Sequence, residues 1–69
     1  MNHAWVSFSQ LTRHEFGQEI TDTLVQHVEL PPEVGGRILC SDPNGSTREG
    51  TVVFVDRDIV SILLDRESK

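Results

Sequence analysis

The stretch "REGTVVFVDRDIVSILLDRE", residues 48–67, decides the fold of this 69-residue chain. Two apolar runs rich in β-branched residues flank the charged pair Arg57 and Asp58, a pattern typical of two strands joined by a short turn. It predicts a β-hairpin with strands at about 50–56 and 59–65. Neither run alternates cleanly between apolar and polar residues, so we expect both faces of the hairpin to be apolar.

Parity sorts the apolar residues of this hairpin into two sets, because successive side chains of a strand point to opposite faces. We assign the first set to the core: Val52, Phe54, Val60, Ile62 and Leu64. We assign the second set to a partner-binding stripe: Val53, Val55, Ile59 and Leu63. Parity alone does not decide which of the two faces the rest of the chain covers, so the reverse assignment stays open.

The apolar second face of the hairpin must be covered, and a chain of this length has few residues that could cover it. A domain of this size buries only about 60% of the surface that its unfolded chain exposes. Its single cysteine, Cys40, excludes an internal disulfide, which leaves oligomerisation as the expected source of extra stability. The cover is either the chain itself, curled into a closed barrel, or another polypeptide. We expect the latter, most simply a second copy related by a twofold axis.

The N-terminal half predicts a strand at 4–9 and an amphipathic helix at about 12–29. Thr12 and Glu15 have the spacing of a capping box, and "LPPE" at 30–33 would end the helix. The apolar face of this helix would carry Phe16, Ile20, Leu24 and Val28. A strand is the rival interpretation for 20–30, but Asp22 and Gln26 would interrupt its apolar face, so we favour the helix.

Residues 34–50 add a glycine-rich reversal, a strand at about 37–41 and a polar turn. The prediction is therefore a single small α+β domain spanning 1–69: an N-terminal strand, one helix, and a three-stranded antiparallel β-meander. The alternative is a small all-β fold. The order of strands and turns in "EGTVVFVDRDIVSILLD" resembles the central hairpin of small SH3-like barrels, where a glycine, a strand and a polar turn also precede the hairpin. This resemblance implies an all-β barrel. It implies no functional residue.

Charge and hydropathy narrow the range of partners. The net charge is −5 with a pI of about 4.9, and the six basic residues are scattered, which argues against a nucleic-acid-binding surface. No run of about 20 apolar residues is present, so we expect no membrane span and a cytoplasmic location. On the predicted helix, Glu15, Glu19 and Asp22 would lie opposite the apolar face, either as a solvated surface or as a docking strip for a basic partner.

No residue pattern indicates catalysis, a metal, a cofactor or a small-molecule ligand. His14 and His27 lack the spacing of a helical metal site, and no base neighbours Cys40 in sequence. We therefore predict a small non-enzymatic protein-interaction or regulatory module, which self-associates or docks another protein through its apolar sheet face and its acidic residues. The alternative is an SH3-like nucleic-acid-binding module.

Overall fold

A computed structural model describes residues 1–7, 13–15 and 18–65. These residues form six strands and one 3-10 turn: β1 (Asn2–Trp5), β2 (Arg13–Glu15), β3 (Gln18–Leu24), the 3-10 turn Val25–His27, β4 (Arg37–Ser41), β5 (Thr47–Asp56) and β6 (Ile59–Leu64). The strands build one mixed sheet in the order β1-β4-β5-β6-β3-β2. The pair β1–β4 is parallel, and the other neighbours are antiparallel.

The predicted helix at 12–29 is wrong, and with it the α+β class. Residues 18–24 are the strand β3, the 3-10 turn follows, and no helix of seven or more residues occurs in the described ranges. The small all-β alternative fits the structure better. The capping-box residue Thr12 and its neighbours 8–11, 16 and 17 lie outside the described residues, while the backbone of Glu15 lies in β2.

Tertiary pairing explains why 18–24 is a strand despite its helical periodicity. Thr21 and Thr23 are buried on the inner face, opposite Ile62 and Val60 of β6. The β-branched side chains of threonine favour this environment, in which the neighbouring strand supplies the packing that an isolated segment lacks. Burial against β6 therefore outweighs the weak helical preference of the segment.

Strand β1 closes the sheet on itself. Its residues pair in parallel with β4 on one side, where Ala4 is opposite Cys40. On its other side, Ala4 bridges to Val28, and the Glu29 amide donates to the His3 carbonyl at 2.8 Å. The N-terminal strand therefore begins and ends earlier than the predicted range 4–9, at Asn2 and Trp5. The sheet curls so that the segment after β3 meets the first strand.

The core fills the inside of this curled sheet. Its buried members are Ala4, Val6, Ile38, Cys40, Val52, Val60, Ile62 and Leu64, and the side chains of Val25, Val28 and Val55 pack against them. Of the hairpin residues assigned to the core by parity, four are buried there, and Phe54 is not. The chain itself thus covers one face of the hairpin by curling, and the other face points outward.

A β-bulge moves Phe54 out of the core. Val52 is opposite Ile62, but the next pair is Phe54 with Ser61, so Val53 is an extra residue in β5. An inserted residue reverses the parity of everything that follows it. Phe54 therefore lies on the outer face, while Val55, opposite the buried Val60, turns inward.

Candidate functional site

The outer face of β3, β5 and β6 carries a group of large apolar side chains that are exposed to solvent. We call this group the outer patch: Leu24, Val53, Phe54 and Ile59, with the buried Ile20 and the half-buried Leu63 between them. Phe54 is 54% exposed and Val53 is 40% exposed, whereas the inward Val52 beside them is 2% exposed. Large apolar groups clustered on a surface in this way mark a site of interaction more often than isolated ones do.

Strand register brings the outer patch together. Ile59 is opposite both Leu24 of β3 and Asp56 of β5, because β6 lies between these two strands. The surface between Phe54, Val53 and Ile59 is a shallow depression of about 450 Å³, which Ile20 and Ser61 also line. The depression is therefore built on three paired strands, which hold its side chains in fixed positions.

Two carboxylates border this depression. Asp22 accepts a hydrogen bond from the Ser61 hydroxyl at 2.6 Å, and this contact fixes the carboxylate on the outer face. Asp56 lines the depression from β5 and is exposed. The outer patch thus combines an apolar floor with negative charge at its border.

The predicted site residues divide between the two faces. Of the four residues assigned to the partner-binding stripe, three lie on the outer face: Val53, Ile59 and Leu63. The fourth, Val55, lies on the inner face. Phe54 is the residue that sequence reasoning missed, because parity carries no signal for a bulge.

The acidic residues assigned to a predicted helix do not form one strip. Asp22 joins the outer patch. Glu19 instead forms an ion pair with Arg48, at 3.0 Å between Oε1 and Nη1, and Arg48 also donates to the Asp65 carbonyl at 2.6 Å. For Glu15 only the backbone is described. The arrangement leaves Asp22, and not Glu19, beside the apolar surface.

A second depression adjoins the outer patch at the seam between β1 and β3. We call it the Trp5 groove: about 480 Å³, lined by Trp5, Val6, Ser7, Asp22, Thr23, Leu24, His27 and Pro43. Leu24 belongs to both surfaces and Asp22 borders both, so the groove adjoins the outer patch at these two residues. Trp5 is 57% exposed, a large fraction for the largest aromatic side chain.

Neighbouring residues hold Trp5 in place. The His3 ring meets the Trp5 ring edge-on, with 4.7 Å between centroids and 81° between planes. His3 Nε2 in turn lies 2.7 Å from the Ser41 hydroxyl oxygen, and Thr23 Oγ1 donates to the Trp5 carbonyl at 2.9 Å. Ser41 thus contacts the ring of His3, and His3 contacts the ring of Trp5.

Cys40, Arg37 and Asp65 have pKa values that their surroundings shift. Burial raises the pKa of the Cys40 thiol to about 11, which disfavours the reactive thiolate. Arg37 donates hydrogen bonds to Asp65 and Thr51 at the surface; its contact with Asp65 lowers the pKa of that carboxyl and raises the pKa of Arg37. Within residues 1–7, 13–15 and 18–65, no three His, Cys, Asp or Glu side chains converge on a point that could hold a metal ion.

Comparisons with known proteins add no family. No protein-family model, curated protein or solved structure matches the chain. In the ranges that the structure covers, no helix has the length and apolar character needed to cross a membrane.

Proposed function

We propose that this chain is a small non-enzymatic interaction module that docks a partner protein through the outer patch. The observation that carries the proposal is the exposure of Phe54, Val53 and Ile59 on the outer face of a sheet whose inner face already holds a complete core. Covering an apolar side chain of this size is worth about 1.5–3 kcal/mol if it is fully buried. Several such residues on a rigid surface provide the apolar centre that protein interfaces have.

Charge selects the kind of partner. Asp22 and Asp56 border the outer patch, and the chain carries a net charge of −5. Two copies placed patch to patch would bring these carboxylates together, which costs free energy at close range. A partner surface that combines apolar side chains with lysines or arginines would complement both the apolar floor of the outer patch and the carboxylates at its border. We therefore propose a basic partner protein, and a second copy of the chain is the alternative occupant that the experiment must distinguish.

The test compares two single substitutions of exposed apolar residues. Phe54→Ser removes the centre of the outer patch, and Val34→Ser is the control, because Val34 is 66% exposed in a turn away from the patch. Quantitative affinity capture from a lysate of the source cells should recover a basic protein with the unmodified chain and with Val34→Ser, and lose it with Phe54→Ser. Equal recovery with all three chains would contradict docking through the patch.

Sedimentation separates the two occupants. The unmodified chain at about 100 μM should sediment as a monomer, because like charges border the patch. A dimer that Phe54→Ser dissociates and Val34→Ser preserves would make a second copy the occupant and overturn the proposal of a basic partner.

The second candidate is the SH3-like nucleic-acid-binding module, which the predominance of strands in the described residues favours over any function tied to a long helix. Exposed Trp5 and Phe54 provide aromatic surfaces on which bases could stack. We place this candidate second because Arg37 and Arg48, which could bind phosphate groups, form ion pairs with carboxylates of the chain. Fluorescence anisotropy with a labelled single-stranded oligonucleotide at two salt concentrations tests it: salt-sensitive binding would support this candidate, and its absence would remove it.

A further inference from the structure

We infer that the Trp5 groove is a receptor for an arginine side chain of the partner protein. This inference rests on the proposed function and names the contact that would read the partner's positive charge. It starts from the two groups that the groove places together: an exposed indole and the carboxylate of Asp22.

The indole is suited to a cation. The face of a tryptophan ring attracts a guanidinium or ammonium group, and tryptophan does so more strongly than the other aromatic residues. Trp5 is exposed and is also held by His3, which Ser41 anchors, so little side-chain freedom remains to be lost on binding. A fixed, solvent-facing indole of this kind is prepared for a ligand before the ligand arrives.

The walls of the groove suit the rest of an arginine side chain. Leu24, Val6 and Pro43 provide apolar surface for its methylene stem, and Asp22 provides negative charge for its head. Asp22 already accepts a hydrogen bond from the Ser61 hydroxyl, and a carboxylate has about four acceptor positions in all. Arginine matches this set better than lysine because its planar head both stacks on an aromatic ring and bonds a carboxylate with two donors.

The position of the groove makes the arginine part of a larger contact. Asp22 and Leu24 also border the outer patch, so a partner segment lying across the patch would deliver one side chain into the groove. The apolar residues of the patch would supply affinity, and the groove would supply selection for a positive charge. The two exposed aromatic residues, Trp5 and Phe54, would then contact different parts of the same partner.

Trp5 itself reports the binding, because it is the only tryptophan in the chain. The probe is the tripeptide Gly-Arg-Gly, blocked at both ends, and its neutral counterpart is Gly-citrulline-Gly, which has nearly the same shape without the charge. The arginine peptide should change Trp5 fluorescence saturably with a dissociation constant on the order of millimolar. The citrulline peptide should bind at least about tenfold more weakly. An equal response to both peptides would overturn the inference.

Two variants localise the charge. Asp22→Asn keeps an acceptor for Ser61 and removes the charge, and it should weaken the arginine peptide about fivefold. Glu33→Gln makes the same change in net charge in an exposed loop that does not line the groove, and it should leave binding unchanged. Equal weakening by the two variants would mean that the general field of the protein, and not the groove, attracts the peptide. Circular dichroism confirms that both variants are folded.

Different measurements test the Trp5 groove and the outer patch. Phe54→Ser should lose the partner protein and keep the tripeptide, because Phe54 does not line the groove. No tripeptide binding together with intact, patch-dependent partner binding would remove the groove and leave the docking surface. Displacement of the tripeptide by a single-stranded oligonucleotide would instead replace the arginine with a nucleic acid.

Discussion

The two faces of the hairpin formed by β5 and β6 both carry large apolar side chains, but those of one face are buried and those of the other are exposed. Inward, Val52, Val60 and Ile62 are all but inaccessible to solvent. Outward, Val53, Phe54 and Ile59 lie at the surface. The difference teaches that hydrophobicity alone does not assign a face in a small curled sheet. The inner face is limited by the volume that the curl encloses, and apolar residues beyond that volume remain outside.

The largest expected effect separates neighbouring residues on opposite faces. Ile62→Ala should lower the free energy of unfolding by about 2–5 kcal/mol, because the fully buried side chain leaves a cavity. Leu63→Ala, one position along on the outer face, should cost clearly less. Denaturant unfolding of both variants measures the gap. Equal losses would mean that the outer face is packed as tightly as the inner one.

A second substitution tests how closely the strands approach on the inner side. A Cβ added at Gly50 would lie 2.7 Å from the Leu63 carbonyl oxygen and 2.8 Å from Ile62 Cγ2. Gly50→Ala should therefore destabilise the fold by about 1–3 kcal/mol, since β5 and β6 must separate to admit the methyl group. Thermal unfolding provides the measurement. An unchanged or raised melting temperature would show that the two strands separate there at little cost.

The seam that closes the inner face has a smaller expected contribution. Thr23→Val keeps the shape of the side chain and removes the hydrogen bond to the Trp5 carbonyl, so it should cost about 1 kcal/mol. The same variant should increase the mobility of Trp5, which fluorescence anisotropy of the indole measures. A stable variant with an unchanged Trp5 signal would mean that the seam does not depend on this bond.

The pH dependence of stability follows from the burial of Cys40. Burial raises the pKa of its thiol from 9.0 to about 11, so the unfolded chain releases the proton first. The stability supplied by the neutral thiol is fully present below pH 9 and is lost as the pH rises from 9 to 11. Cys40→Ala should flatten the alkaline part of the stability curve. A slope that persists in this variant would assign the alkaline loss to another group.

The smallest expected effect lies at the most exposed position of the outer patch. Phe54→Ser should lower the free energy of unfolding by only about 0.5–1 kcal/mol, because about half of the Phe54 surface is already in water. Denaturant unfolding against the unmodified chain measures it. A loss above about 2 kcal/mol would place Phe54 in a packed environment and remove the contrast between the two faces.

The sequence was sufficient where local and tertiary preferences agree. The β-branched runs at 50–56 and 59–65 predict strands because such residues suit a pleated, packed surface, and β5 and β6 occupy 47–56 and 59–64. The sequence led to a wrong prediction of helix at 18–28. Apolar residues four positions apart lie on one face of a helix, but they also lie on one face of a strand. The pairing with β6 that decides between these periods lies about forty residues further along the chain, and no local window contains it.

The candidate site was predictable only in part for a related reason. Val53, Ile59 and Leu63, which we assigned to the partner-binding stripe, lie on the outer face. The bulge at Val53 and Phe54 exchanges the faces of Phe54 and Val55, and its position depends on the register between two strands. The Trp5 groove needs β1 to meet β3, a contact set by the curl of the whole sheet. Neither the bulge nor the groove can be predicted from the spacing of residue types along the chain.

The parallel pairing of β1 with β4 also bears on how the chain folds in time. In the described residues, the strand partners of β1, in β4 and at Val28, are distant in sequence, whereas β5 and β6 are joined by a two-residue turn. Local hairpins form in microseconds, and distant pairings wait for the chain to close long loops. We therefore expect the β5–β6 hairpin to form before β1 pairs with β4. An unpaired edge of β4 would be a template for another chain, so the pairing of β1 also protects the chain from aggregation.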